Sequence, residues 1–205
     1  MSAYPIAYEQ HPPEKRNRLT VFVRLLLVIP HVVWAFFYGI ALFVVQIVAW
    51  FAILFTGKFP QGLYDFCAGY LRFTARLGGY LLLIVDEYPP FDGAEHPAYP
   101  IRVSIAAPAA EYSRLKAFFR LILAIPIFVV QYVFQFWLGA VAIAIWFVAV
   151  IMGSTPPGLT GALRFPASYY VRSSAYVYLM TDVYPSLSDA EAVAAPTVPP
   201  APLPA

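Results

Sequence analysis

The chain has 205 residues, of which 61% are hydrophobic and only 12% charged, with a formal net charge of +2. Soluble domains carry about 25% charged residues, so this composition argues against a fully water-exposed surface and for a large lipid-facing one. The near-neutral balance makes no case for nucleic acid, and a single cysteine, Cys67, excludes an internal disulfide framework and a cysteine-built metal site. Cys67 reads as space-filling in an apolar helix. The opening Met-Ser-Ala-Tyr-Pro-Ile lacks the basic-then-apolar order of a cleavable signal peptide, so the internal apolar segments are expected to direct insertion.

Residues 17–92 align with 113–188 without a gap, at a shift of 96. Arg18 falls on Arg114, Phe22 on Phe118, Arg24 on Arg120 and Pro30 on Pro126. Trp50 falls on Trp146, Gly57 on Gly153, Arg76 on Arg172 and Tyr80 on Tyr176, and Asp86-x-Tyr88-Pro89 meets Asp182-x-Tyr184-Pro185. Identical charged and proline positions in two copies mark what one structural unit requires. The chain thus divides into a first repeat over 1–94, a second over 95–188, and an Ala- and Pro-rich tail over 189–205 that is expected to be disordered.

Each repeat opens on an extended stretch, 4–9 and 99–106, read as two short strands that pair with each other. Ile101, Val103 and Ile105 alternate with Arg102 and Ser104, the period of a half-buried strand. The Tyr-Pro-Ile triplets lie 95 apart rather than 96, so one residue is gained before the helices. Amphipathic helices over 17–29 and 113–125 follow, with Asn17, Thr20 and Arg24, and then Ser113, Lys116 and Arg120, forming one polar stripe. Each is expected to end or kink at Pro30 or Pro126. Thirteen residues rise about 20 Å, short of the roughly 30 Å hydrocarbon core, which suits the membrane interface.

Residues 31–55 and 127–152 are uncharged and long enough to span a bilayer with some tilt. Gly57 and Gly153 are the expected stops, followed by turns at Pro60 and Pro156. Second arms over 62–85 and 158–181 carry a small-or-polar stripe, Asp65, Gly69, Arg72 and Arg76 in one copy and Gly161, Ser168 and Arg172 in the other. Intramembrane arginine is costly, so the stripe should face protein, water or headgroups. A second spanning helix is the expectation; a tilted, partly interfacial helix is the alternative. The fold class is then all-α integral membrane: four transmembrane helices as two tandem parallel hairpin repeats, with interfacial helices and a short strand pair.

Charge placement orients the chain. Lys15, Arg16, Arg18 and Arg24 precede the first span, and Arg102, Arg114, Lys116 and Arg120 lie between the repeats, against Lys58 alone in the hairpin turns. The positive-inside rule places both termini and the linker in the cytoplasm. Two spans per repeat relate the halves by an axis along the membrane normal, whereas three per repeat would invert them.

The ordered pattern Tyr-Pro-Ile…Arg-Leu…Ile-Pro…Trp-Phe…Gly-x-x-Pro-x-Gly-Leu…Arg…Tyr…Asp-x-Tyr-Pro resembles the DUF4389 family of bacterial membrane proteins. It is carried most strongly by Trp50–Leu63 and Arg72–Phe91. The second copy departs at Ser154-Thr155-Pro156-Pro157 and at Ser168, which stands where the first has Arg72. The resemblance implies a bacterial inner-membrane location and carries over no catalytic residues.

Catalytic spacing is absent: His11, His31 and His96 stand in no ligand motif, and no phosphate loop or nucleophile elbow occurs. No cofactor, metal or enzymatic role is expected. Asp86 and Asp182 are read as partners of Arg24 and Arg120 rather than proton carriers. Arg72 and Arg76 are lipid-phosphate candidates, with snorkelling or pairing to Asp65 and to the acids Asp86, Glu87, Asp92 and Asp182 as the alternative, and Arg172 belongs to the same stripe. Gln131 and Gln135 are read as interhelical hydrogen-bonding groups. The expected function is a non-enzymatic accessory or scaffold subunit touching membrane lipids and protein partners, or a homo-oligomer. The alternatives are a small oligomeric transporter or channel using the Arg/Asp stripe and, least supported, a lipid-modifying enzyme.

Overall fold

The computed structural model describes residues 4–13 and 17–188. Lys15, Arg16 and the 189–205 tail lie outside the described residues. In chain order the elements are β1 (Ile6–Gln10), α1 (Arg18–Leu27), α2 (Ile29–Thr56), α3 (Gln61–Leu81), β2 (Ile101–Ile105), α4 (Arg114–Phe118), α5 (Arg120–Met152) and α6 (Pro157–Val177). The protein is mostly helical with one two-stranded antiparallel ribbon.

Helix starts follow local chemistry. Asn17 caps α1, its side chain accepting from the amides of Leu19 and Thr20, and Ser113 accepts from Lys116 at the start of α4. The expected stops at Pro30 and Pro126 are corrected. The breaks fall earlier, at Val28 and Phe119, while Pro30 occupies the first turn of α2 and Pro126 lies inside α5. A first-turn proline forgoes no hydrogen bond, and one interior proline costs a single bond without ending a 33-residue apolar helix. The second short helix is therefore Arg114–Phe118, not 113–125. Gly57 and Gly153 end α2 and α5 at φ +72 and +71, the left-handed conformation that glycine adopts without Cβ strain.

The second arms also end sooner than expected, at Leu81 and Val177. Leu83 and Leu179 turn left-handed at φ 59 and 64, and Ile84 and Met180 donate back to the carbonyls of Gly79 and Ala175. This is a Schellman closure built on leucine, and burial of both leucines offsets its strain. The chain beyond each leucine folds back along its own helix.

The two repeats exchange their opening segments. Phe22 of α1 stacks on Trp146 of α5, and its counterpart Phe118 of α4 stacks on Trp50 of α2. The Trp50 indole donates to the Ala117 carbonyl at 2.9 Å. The Arg18 guanidinium lies over Gly153, and Arg114 lies over Gly57. Strand β1 packs on α6, where Tyr4 donates to the Arg172 carbonyl and Gln10 to that of Thr160. Strand β2 packs on α3, with Ile101 seated on Gly79 near one end and Tyr64 donating to the Ala106 carbonyl near the other.

These contacts set the relation between the halves. The end of α2 meets the start of the second repeat, and the end of α5 meets the start of the first, so α2 and α5 run antiparallel. In the ribbon, Tyr8 pairs with Val103, and Ile6↔Ile105 exchanges with Gln10↔Ile101 under the 95-residue shift. A pseudo-two-fold axis therefore passes through the Tyr8–Val103 pair, perpendicular to the long helices. The expected parallel arrangement of hairpins is corrected: exchanged opening segments and an antiparallel ribbon close only if the helices run in opposite directions.

Candidate functional site

Arg24 and Arg120 are each 3% exposed and lie at matched positions. Arg24 donates to the carbonyls of Tyr80 and Val85 at 2.7 and 2.9 Å and to the Asp86 carboxylate at 2.6 Å, with its plane 4.4 Å from the Tyr80 ring centre. Arg120 donates to the Thr181 carbonyl at 3.1 Å and to Asp182 at 2.7 Å, and lies 4.0 Å over the Tyr176 ring. Each carboxylate also accepts the amide of the residue that caps the short helix of its own repeat: Asn17 for Asp86, Ser113 for Asp182. A planar fork serves several acceptors at once and stacks on an aromatic ring, which an ammonium cannot reproduce. Each clamp thus locks the turn after one second arm to the opening helices of its own repeat, through Arg24 on α1 and Arg120 at the start of α5.

The remaining arginines hold the returning segments. Arg76, 3% exposed, donates to the Asp92 carbonyl at 2.7 Å, and Arg172, fully buried, donates to the Ser188 carbonyl at 3.4 Å. Asp92 and Ser188 are themselves 96 apart, so both copies use the same device. Arg72 pairs with Glu95 at 2.6 Å; of the acids expected as partners, Asp92 lies 3.9 Å from Arg76, while Asp65 accepts from Gln61 instead. His31 is fully buried, stacks on Phe91 at 3.9 Å, and contacts the Pro89 carbonyl at 2.7 Å. Gly69 and Gly93 bring α3 and the returning segment into backbone contact. Gln131 donates to Ser173 at 2.7 Å, and Gln46 reaches from α2 to the Tyr178 carbonyl of the other repeat at 3.1 Å. The carbonyl acceptors and the return itself escaped sequence reasoning; the recurrence of Tyr80 at Tyr176 was the available signal.

Asp92 accepts from His96 at 2.8 Å, and that hydrogen bond, aided by Arg76, holds its carboxyl below the ordinary value of 3.8. A depressed carboxylate contributes its docking fully above the unfolded value and loses it as pH falls through the folded one. The segment at 86–96 is therefore expected to stay docked at neutral and mildly acidic pH and to loosen only in acid below 3.8, with a small effect because Asp92 is largely exposed. Hydrogen exchange of that segment across a pH series checks this; loosening near neutrality would contradict it.

Exposure is strongly one-sided. Large exposed apolar side chains cover α1, α2, α4 and α5, from Leu19, Phe22 and Phe36 to Phe136, Phe147 and Ile151, whereas α3 and α6 show only Leu81 and Tyr170. No charge lies between Arg24 and Lys58 or between Arg120 and Arg164. Exposed cations rim this frame: Arg18, and, at the other end of α2, Lys58, Arg114 and Lys116. A crevice of about 230 Å³ between α3, α5 and α6 is lined by Thr74, Gly78, Leu82, Gln135, Leu138 and Tyr170. Among the described residues, no three His, Cys, Asp or Glu side chains converge as a metal set.

Fold and clamps define the class: a tandem-repeat helical protein in which two helical stretches, Arg18–Thr56 and Arg120–Met152, are long and apolar enough to cross a membrane. DUF4389, described as a domain of unknown function, matches twice, at residues 18–92 and 114–188, and the chain belongs to that family. No curated protein and no solved structure matches it.

Proposed function

We propose that this chain is a non-enzymatic, membrane-resident accessory or scaffold protein of the bacterial inner membrane, with both termini on the cytoplasmic side. The observation that carries the reading is the apolar frame. Only 17% and 22% of the most apolar windows of its two long helical stretches are buried within the chain, where the core helix of a soluble protein would be mostly covered. A surface so apolar and uncharged is stable only against hydrocarbon or another protein. The scaffold reading is supported by how the polar side chains are used. Arg24, Arg72, Arg76, Arg120 and Arg172 are all engaged by the chain's own carbonyls or carboxylates, which makes them structural. Anionic-lipid contact falls instead to the exposed rim of Arg18, Lys58, Arg114 and Lys116.

The four-span arrangement requires α3 and α6 to cross as well. Both lack the length of apolar sequence, and the polar segment at 86–96 lies along the middle of α3. The frame alone is the better-supported membrane element. In a native-membrane preparation, the protein is expected to stay in the pellet through alkaline carbonate washing and to leave in mild detergent as an assembly larger than its own 22.8 kDa. Release by carbonate would remove the membrane reading; a lone monomer retaining full cellular activity would remove the scaffold reading.

A further inference from the structure

The mode of insertion follows from the symmetry. Strand β2 runs beside α3 from Gly79 to Tyr64, so its centre, Val103, lies beside the middle of that helix. Arg72 is also central, 11 residues after Gln61 (72 − 61) and 9 before Leu81 (81 − 72). It holds Glu95, which is 68% exposed, and one turn away Arg76 holds Asp92, which is 57% exposed. Exposed Arg102 lies on the ribbon beside Val103, opposite Glu9. The pseudo-two-fold axis passes through this same level. Were α2 and α5 to cross a bilayer, the axis would lie in the membrane plane at mid-depth. Exposed Asp92, Glu95 and Arg102 would then sit at the centre of the hydrocarbon. Exposed charges are not tolerated there.

We infer that the molecule instead lies in a single leaflet, its long helices parallel to the membrane and its pseudo-two-fold axis along the normal. The occupant of the apolar frame is the acyl layer of that leaflet. The ribbon and returning segments stand at the opposite end of the axis, in headgroups and water. The rim cations agree with this placement. Arg18 and Arg114 lie at opposite ends of α2 and α5, and only an in-plane molecule brings both to one headgroup layer. The orientation rests on the reading that the frame faces lipid, and it differs from a crossing chain in which compartment the helix ends reach.

Three single-cysteine variants in a Cys67→Ala background test it: Gly62→Cys, Gly158→Cys and Ala98→Cys. Gly62 and Gly158 are equivalent first-turn positions with open space around them, and Ala98 is exposed in the linker. A membrane-impermeant maleimide is applied to intact spheroplasts and to inverted vesicles, with carbonate-washed membranes as the residency control. The expected result is that all three label from one side only, with labelling from the other at background. Gly62 and Gly158 labelled from opposite sides would show that the long helices cross, and would overturn the inference. So would both labelled from the side opposite Ala98, the pattern of two spanning hairpins. Loss of the protein on carbonate washing is a separate outcome, which removes the membrane reading itself and the orientation with it.

Discussion

Replacing Arg24 with alanine is expected to destabilise the protein by about 3–5 kcal/mol, the cost of removing one member of a buried ion pair. The loss exceeds that of a surface pair because the guanidinium is 3% exposed and also serves the Tyr80 and Val85 carbonyls. Those carbonyls and Asp86 would each lose the guanidinium as a donor inside a turn already holding Leu83 at positive φ. Arg24→Lys should recover only part of the stability, since a single ammonium cannot span both carbonyls and the carboxylate while stacking on Tyr80. Arg120→Ala should behave similarly, because its bonds to the Thr181 carbonyl and Asp182 and its stacking on Tyr176 repeat, 96 residues on, those of Arg24 to Val85, Asp86 and Tyr80. Reversible unfolding in mixed micelles measures all three. Wild-type stability in Arg24→Ala, or full rescue by lysine, would show that the clamp is not what holds the turn.

The second large effect is expected at Gly93. A Cβ there would meet the Cα, carbonyl carbon and oxygen of Gly69, all backbone of α3 and unable to swing aside. Gly93→Ala should therefore lift the returning segment at a cost of about 1–3 kcal/mol from overpacking alone. If the segment leaves, buried Arg76 also loses its Asp92 carbonyl, worth about another 1–3 kcal/mol. Phe91 would come off His31 as well. Limited proteolysis within 86–96 and thermal unfolding report the two consequences separately. Gly62→Ala, at a position with open space, serves as the control that should change neither by much. An unaltered Gly93→Ala protein would mean that the close glycine contact is dispensable.

Local pattern accounts for much of this structure. The uncharged runs became α2 and α5, Gly57 and Gly153 stop them in the left-handed region, and the Tyr-Pro-Ile stretches form a paired ribbon. Each depends on a few neighbouring side chains, through hydropathy, the missing Cβ of glycine or alternation along a strand, and is legible without knowing the rest of the fold. Periodicity also showed that Arg24, Arg76 and Asp86 recur as Arg120, Arg172 and Asp182. Recurrence at a fixed shift establishes that two units are equivalent. It carries no direction for the axis that relates them.

That direction was decided by tertiary contacts. α1 packs on α5 and α4 on α2, β1 on α6 and β2 on α3, and these exchanges set the long helices antiparallel. Similarly, Asp65, four residues from Gly69 and seven from Arg72, lies close to the arginines on the helical wheel, whereas nothing in the local pattern singles out Glu95 as a partner or sets Asp92 above the other acids. The left-handed turn at Leu83 reversed this by folding the following segment back along α3. Chain reversals and repeat exchange depend on contacts between residues far apart in sequence. Hydropathy therefore determined which helices are long and apolar, and only the packed fold decided that they run antiparallel with most of that apolar surface left exposed.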